Sequence, residues 1–150
     1  MPVVYKEFVG NLFSAPADSY LAHCISADYA LGAGIAKEFD RRCDMRRKLN
    51  DRFPHVAGNP NFFVGRALPV EKVFNCVTKE HYYDKPTYAD FTAAIKNMAI
   101  LCNYFHVRKL AIPRLGAGLD RLDWTVVKEI IFDSFKDLDI EITCYKLKEW

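Results

Sequence analysis

Three patterns in this 150-residue sequence predict an α/β fold, a three-layer α/β/α domain around a mixed, largely parallel central sheet. The chain opens on a β-like stretch, after which strand-like and helix-like runs alternate, the order expected of parallel strands joined by crossover helices. Two of the strand-like runs are continuously apolar, as in strands buried on both faces. Both lead into turns with two glycines one residue apart, the position where such sheets hold ligands. The reading is one domain, residues 1–150, long enough to bury about 68–70% of its unfolded surface.

Residues 2–9 favour β-branched and aromatic types in alternation and read as a strand. Gly10-Asn11-Leu12-Phe13 ends it, and Ser14 to Asp18 is a loop. Ser19 to Ser26 is the first buried strand. After Gly32-Ala33-Gly34, Ile35 to Phe39 begins a helix that Met45 to Phe53 continues. Phe53-Pro54 and Gly58-Asn59-Pro60 are breakers, so residues 54–61 form a loop. Phe62 to Leu68 and Lys72 to Thr78 read as two strands joined across Pro69, compatible with a hairpin. Lys79 to Pro86 is a polar and aromatic loop. Thr87 caps a long helix, with Asp90 three residues later in a capping-box arrangement. Tyr88, Phe91, Ile95, Met98, Cys102 and Phe105 give that helix one apolar, core-facing stripe. The second buried strand, Lys109 to Pro113, leads to Arg114-Leu115-Gly116-Ala117-Gly118-Leu119-Asp120, then to a helix over Trp124–Phe135 and a last strand over Ile140–Leu147.

Composition excludes several classes. The net charge of +2, from 21 basic against 19 acidic residues, argues for no nucleic-acid partner, and no basic stripe is interleaved with aromatics. Arg41, Arg42, Arg46, Arg47 and Lys48 are broken by Asp44 and read as a solvated helix face rather than a phosphate-binding patch. The five cysteines are an odd number without a C-x-x-C, which fits a reducing cytoplasmic or nuclear compartment and neither a disulfide framework nor a zinc site. The start has no apolar signal core and no run is long enough to span a bilayer. No membrane partner, cofactor or metal is expected, and the chain is expected to act as a monomer.

The glycine turns bring main-chain N–H groups and a helix N-terminus to one spot, which favours an anion. Gly116 and Gly118 allow a sharp turn, with positive φ where needed, and a close ligand approach. Both turns lack the third glycine of the dinucleotide motif and the Gly-Lys-Ser/Thr of the P-loop, so hydride transfer and ATP hydrolysis lose support. Asp120 would ordinarily be a helix cap, but Asp123 stands better for that task and leaves Asp120 for function. Lys79 ends its strand; such lysines are usually solvated, yet one at the rim of a dry pocket becomes a nucleophile toward an electrophilic carbon. Lys85 is its rival. His23, in an apolar strand, reads as a core residue. His55, His81 and His106 lack partners at metal-ligand spacing. Ser26 suits a hydrogen bond to a ligand sugar and a strand-end cap equally.

These stretches together resemble a macrodomain, of the branch that contains terminal ADP-ribose protein glycohydrolase, or O-acetyl-ADP-ribose deacetylase. Gly10-Asn11-Leu12-Phe13, Ala22-His23-Cys24-Ile25-Ser26, Gly32-Ala33-Gly34-Ile35-Ala36, Thr78-Lys79, Lys85-Pro86-Thr87-Tyr88 and Pro113 to Leu122 carry the resemblance in order, outside residues 40–72. It implies ADP-ribose and ADP-ribosylated proteins as ligand and substrate. Gly32, Gly34, Ile35, Gly116, Ala117, Gly118 and Leu119 would hold the diphosphate and distal ribose, and Ser26 would approach that ribose. Lys79 would attack its anomeric carbon, and Asp120 would act on the sugar hydroxyls and help to resolve the adduct. Asn11 and Leu12, with Tyr145 and Leu147, would border the adenine. Asn11 replaces the usual Asp, and its amide oxygen would accept a hydrogen bond without a full charge. The reaction implied is removal of ADP-ribose from acidic side chains and deacylation of O-acetyl-ADP-ribose. An ADP-ribose 1″-phosphate phosphatase and a non-catalytic ADP-ribose-binding module are the alternatives.

Overall fold

A computed structural model describes residues 3–147. Its elements, in chain order, are β1 (Val4–Val9), β2 (Tyr20–Ser26), α1 (Gly34–Cys43), α2 (Met45–Arg52), β3 (Arg66–Val70), β4 (Val73–Lys79), α3 (Tyr88–Tyr104), β5 (Lys109–Ile112), α4 (Trp124–Phe135) and β6 (Glu141–Lys146), with a 3-10 turn at Leu12–Ser14. Six strands form one sheet ordered β1-β6-β5-β2-β4-β3. Every pairing is parallel except that of β3 with β4, so the mixed, largely parallel sheet is as predicted.

The helices form where local chemistry starts them. Thr87 accepts the Asp90 N–H and opens α3, and Asp123 accepts the Thr125 N–H and opens α4. Phe91, Ile95, Met98 and Cys102 of α3, with Val127, Ile131 and Phe135 of α4, pack on Leu110, Ile112 and Ile142 and close one face of the sheet. Tyr88 and Phe105, at the ends of the predicted stripe, lie half exposed. Phe39, Met45 and Leu49 of α1 and α2 cover Ile25, Leu68, Val70 and Val77 on the opposite face. The β1–β6–β5 part of that face holds a cavity of about 250 Å³, lined among others by Lys6, Phe8, Ala111, Thr143 and Tyr145.

His23 is the core residue its strand implied. Fully buried, it stacks on Phe39 with ring centroids 4.1 Å apart, and its Nε2–H donates to Asn75 Oδ1 at 2.5 Å. Burial lowers its pKa to about 4, against the smaller opposing effect of Asn75, so the ring is neutral at physiological pH.

Two boundaries differ from the sequence reading. Phe62 to Gly65 is a run of turns rather than a strand: the Val64 N–H reaches Asn61 O, and Gly65 has φ +87°. Aromatic composition suggested extension there, but the reversal needed to start β3 occupies it. The hairpin turns at Glu71 (φ +55°) and Lys72, and Pro69 lies inside β3 opposite Phe74. A proline is tolerated there because β3 is the sheet edge.

The strand order sends the chain to β4 on one side of β2 and to β5 on the other. The crevice at the carboxyl ends of these three strands is the topological switch point at which open α/β sheets take ligands.

Candidate active site

Ser26, Lys79 and the segment after Ile112 end the three strands at that crevice. Ser26 pairs with Lys79 across an irregularity after Ile25, and the Ala27 N–H donates to Lys79 O at 2.9 Å. The Lys79 side chain then reaches across to the second glycine turn, where Nζ donates to Asp120 Oδ1 at 2.6 Å. Both side chains are largely buried, at 13% and 15% exposure, so water screens this pair far less than the ion pairs of the surface. Lys85 is exposed on the adjoining loop.

The two glycine turns approach each other through Leu119, the residue before Asp120. A Cβ on Gly34 would lie 3.2 Å from Leu119 Cδ1, and Leu119 itself is 73% exposed. Gly34 has φ +59° and Gly116 has φ +71°. Gly118 does not lie in the left-handed region, and a Cβ there would have nothing within 4 Å. Gly32 likewise is open, with only Ala30 O at 3.9 Å. Ala117 is half-buried; Ile35 packs under the first turn against the α1–α2 core.

The anion-favouring end belongs to the first turn. α1 begins at Gly34 with Ala33 as its N-cap and no side-chain cap, so its first N–H groups keep their donor capacity. α4 starts only at Trp124, beyond the second turn, and Asp123 already caps it. The expectation that both turns feed helix N-termini into one spot therefore holds for one of them.

Beneath the turns, Cys24 is sensitive to both charges. Burial first, then Cys76 and Asp120, push its thiol well above the usual range, against the Gly116 N–H and Lys79. It stays a neutral thiol and is no rival nucleophile. Asp28, which the sequence reading passed over, ties the site together. Its Oδ1 accepts Ser26 Oγ–H at 2.5 Å and the Ala30 N–H at 3.1 Å, and its Oδ2 accepts the Tyr82 N–H at 2.9 Å. Burial opposes its ionisation, but these three donors outweigh it and hold the carboxyl below the usual carboxylate range. An Asp two residues after a Ser at a strand end is a turn signal, and that was the one clue available.

Other predicted residues stand further off. Asn11 caps the 3-10 turn, its Oδ1 accepting the Phe13 N–H at 2.9 Å. That bond uses one of the two lone pairs of the amide oxygen and leaves the other, with the NH₂, for a further partner. Leu12 is buried in the α1–α2 core and offers only backbone. Tyr145 stacks edge-on against Phe8 beside the sheet-face cavity, whose lining includes neither Lys79, Asp120 nor either glycine turn. Leu147 is 77% exposed.

His81 has the neighbours its spacing did not promise: ligand atoms of Glu80, His81 and Asp84 lie within 4.8 Å of one another. Asp84 Oδ2 there accepts the His81 N–H and faces Nδ1 at 3.1 Å, the contacts of a turn. The arginines of the basic cluster form the solvated face expected of them, with Arg41 and Arg42 on Glu38 and Arg47 on Asp44 and Asp51, whereas Lys48, on Glu71, is mostly buried. The five cysteines are free. Among the described residues, no helix is long and apolar enough to cross a membrane.

Comparison with known proteins adds family to geometry. The model of the Macro domain matches residues 15–131. Human ADP-ribose glycohydrolase OARD1 is 34% identical over 142 residues, covering 92% of this chain and 88% of that protein. The DNA ADP-ribosyl glycohydrolase of Thermus aquaticus is 24% identical over 146 residues, 91% of this chain but 39% of that protein. The solved macrodomain of Thermus aquaticus DarG superposes with a TM-score of 0.78 at 25% identity, covering 96% of this chain and 99% of that one.

Proposed function

The chain belongs to the macrodomain family, and on that premise we propose that it is a hydrolase that releases ADP-ribose from acidic side chains of proteins and deacylates O-acetyl-ADP-ribose. The observation that carries this reading is the Lys79–Asp120 contact at 2.6 Å, between side chains 41 residues apart and largely withdrawn from water. A module that only retains ADP-ribose needs no amine and carboxylate held together at the sugar end of the crevice.

The chemistry follows from the pair. The diphosphate lies on the uncapped N-terminus of α1, and the distal ribose lies between Ser26 and the second glycine turn. Asp120 takes a proton from the Lys79 ammonium, and the freed amine attacks the anomeric carbon. The carbon–oxygen bond to the leaving carboxylate breaks, and the ring opens to an imine on Lys79. Asp120 then moves protons at the neighbouring hydroxyl, and water hydrolyses the imine to free ADP-ribose and restore the lysine.

A second reading, ADP-ribose carried on a nucleic-acid base, has one observation in its favour. Tyr82 and Tyr83, 66% and 70% exposed on the loop that follows Lys79, offer faces on which a planar leaving group stacks.

The test is an assay against a Glu/Asp-linked ADP-ribosylated protein, O-acetyl-ADP-ribose, ADP-ribose 1″-phosphate and an ADP-ribosylated oligonucleotide, with products identified by mass spectrometry. Release from the first two is expected. Lys79→Ala should bind ADP-ribose nearly as well as wild type and lose about 10²–10⁴-fold in turnover, the range of a positioned catalytic group. Lys85→Ala should lose neither. Turnover of the phosphate alone, or full activity in Lys79→Ala, contradicts the reading.

A further inference from the structure

Asp28 spans two parts of the site that the sequence separates by more than fifty residues. It lies in the turn after β2, and it holds Ser26 from that strand and the Tyr82 backbone from the loop after β4. Its turn is held from other sides as well. Tyr29 (φ +55°) and Leu31 (φ +43°) both take left-handed backbone, which side-chain-bearing residues adopt at a cost. The Tyr29 hydroxyl donates to Phe53 O at 2.9 Å, and its ring stacks on His55, whose Nε2–H donates to Ala27 O at 2.6 Å. A strained turn fixed from several directions is a platform for what stands on it.

What stands on it is Ser26. A serine hydroxyl has one proton, and Ser26 gives it to Asp28 Oδ1. An ionised carboxylate only accepts, so this bond cannot reverse. Ser26, buried at the end of β2, is therefore left with lone pairs alone for any second partner of its Oγ. It can accept from a sugar hydroxyl and cannot donate to a phosphate or carbonyl oxygen. A free serine could turn its proton either way and would read neither.

We propose that Asp28 is a positioning residue that fixes Ser26 as a hydrogen-bond acceptor, so that the site selects a free hydroxyl on the distal ribose. The same carboxylate holds the loop after Lys79 to the β2 turn through the Tyr82 N–H. Ligand orientation at Ser26 and the approach of Lys79 are thereby set by one side chain. This rests on the reading that ADP-ribose is the ligand, with its distal ribose at Ser26.

The test uses ADP-ribose and its analogues lacking one or the other distal-ribose hydroxyl, titrated into wild type, Asp28→Ala, Ser26→Ala and the double variant, each with its melting temperature. The wild type should bind one deoxy analogue about tenfold more weakly than ADP-ribose, the size of one hydrogen bond. That penalty should fall to about twofold or less in Ser26→Ala and in Asp28→Ala, and the double variant should lose no more than either single one. Lost stability alone would weaken ADP-ribose and analogue alike and leave their ratio unchanged, so the ratio reads the polarity of Ser26. A tenfold penalty that persists in Asp28→Ala overturns the proposal while the ligand reading stands. A wild type that does not bind ADP-ribose overturns both.

Discussion

In the first glycine turn Gly34 has φ +59° and in the second Gly116 has φ +71°, whereas Gly32 and Gly118 adopt backbone that other residues can share. Each turn thus divides its glycines: one is demanded by the backbone, the other leaves open space where a ligand would come. The turns differ in how firmly the demanded glycine is enclosed. Around Gly116 a Cβ would lie 2.9 Å from both Leu122 Cδ1 and Phe91 Cε1, in the core; around Gly34 it would meet only the exposed, flexible end of Leu119. Glycines that look equivalent in a motif therefore separate into scaffold and opening, and only their neighbours tell them apart.

The sharpest way to break this comparison is at Gly116. Gly116→Ala should cost about 4 kcal/mol of stability, from left-handed strain together with overpacking against Phe91 and Leu122. Urea denaturation measures it, and a change below about 1 kcal/mol would make Gly116 no more a scaffold glycine than Gly118.

The helix that follows the first turn is held differently, through Phe39 stacked on the neutral His23 of β2. The folded pKa of about 4 lies below the usual value of 6.5, so the unfolded chain binds the extra proton first. The contribution of about 3 kcal/mol is fully present above pH 6.5 and is lost as pH falls toward 4. His23→Gln, which keeps a donor for Asn75, should flatten the stability profile across that window. An unchanged profile would remove the titratable support.

Smallest in stability is Gly118→Val. With nothing within 4 Å of the added Cβ, stability should change by no more than about 0.5 kcal/mol, while ADP-ribose affinity falls by at least about tenfold. Calorimetric titration beside thermal melts separates the two. A variant that melts early yet binds normally would exchange the roles of the two glycines.

How far the sequence led depends on how local each feature is. Helix α4 ran from Trp124 to Phe135 as read, and Thr87 and Asp123 cap as read, because caps and periodicity are settled within a few residues. The strand read over Phe62–Leu68 began four residues early, because the turn before β3 is fixed by tertiary contacts such as the Gly65 N–H on Val77 O. Lys79 and Asp120 stood out singly, as a strand-end lysine and a carboxylate freed from capping. Their contact depends on β4, β2 and β5 lying side by side, which no local pattern states. Asp28 was invisible for the opposite reason: its sequence context fits an ordinary turn, and its second oxygen is used by a residue 54 positions away. Asn11 was read by its type, and the type could not disclose that its oxygen also caps the 3-10 turn by accepting the Phe13 N–H.

The central claim is that Lys79, poised on Asp120, bonds covalently to the distal ribose during turnover. Incubating the protein with an ADP-ribosylated substrate and cyanoborohydride would reduce the imine in place, and digestion with mass spectrometry would locate it. The account predicts a single modified lysine, Lys79, with the adduct absent from Lys79→Ala. An adduct on Lys85, or no adduct on any lysine while Lys79→Ala keeps full activity, would contradict it.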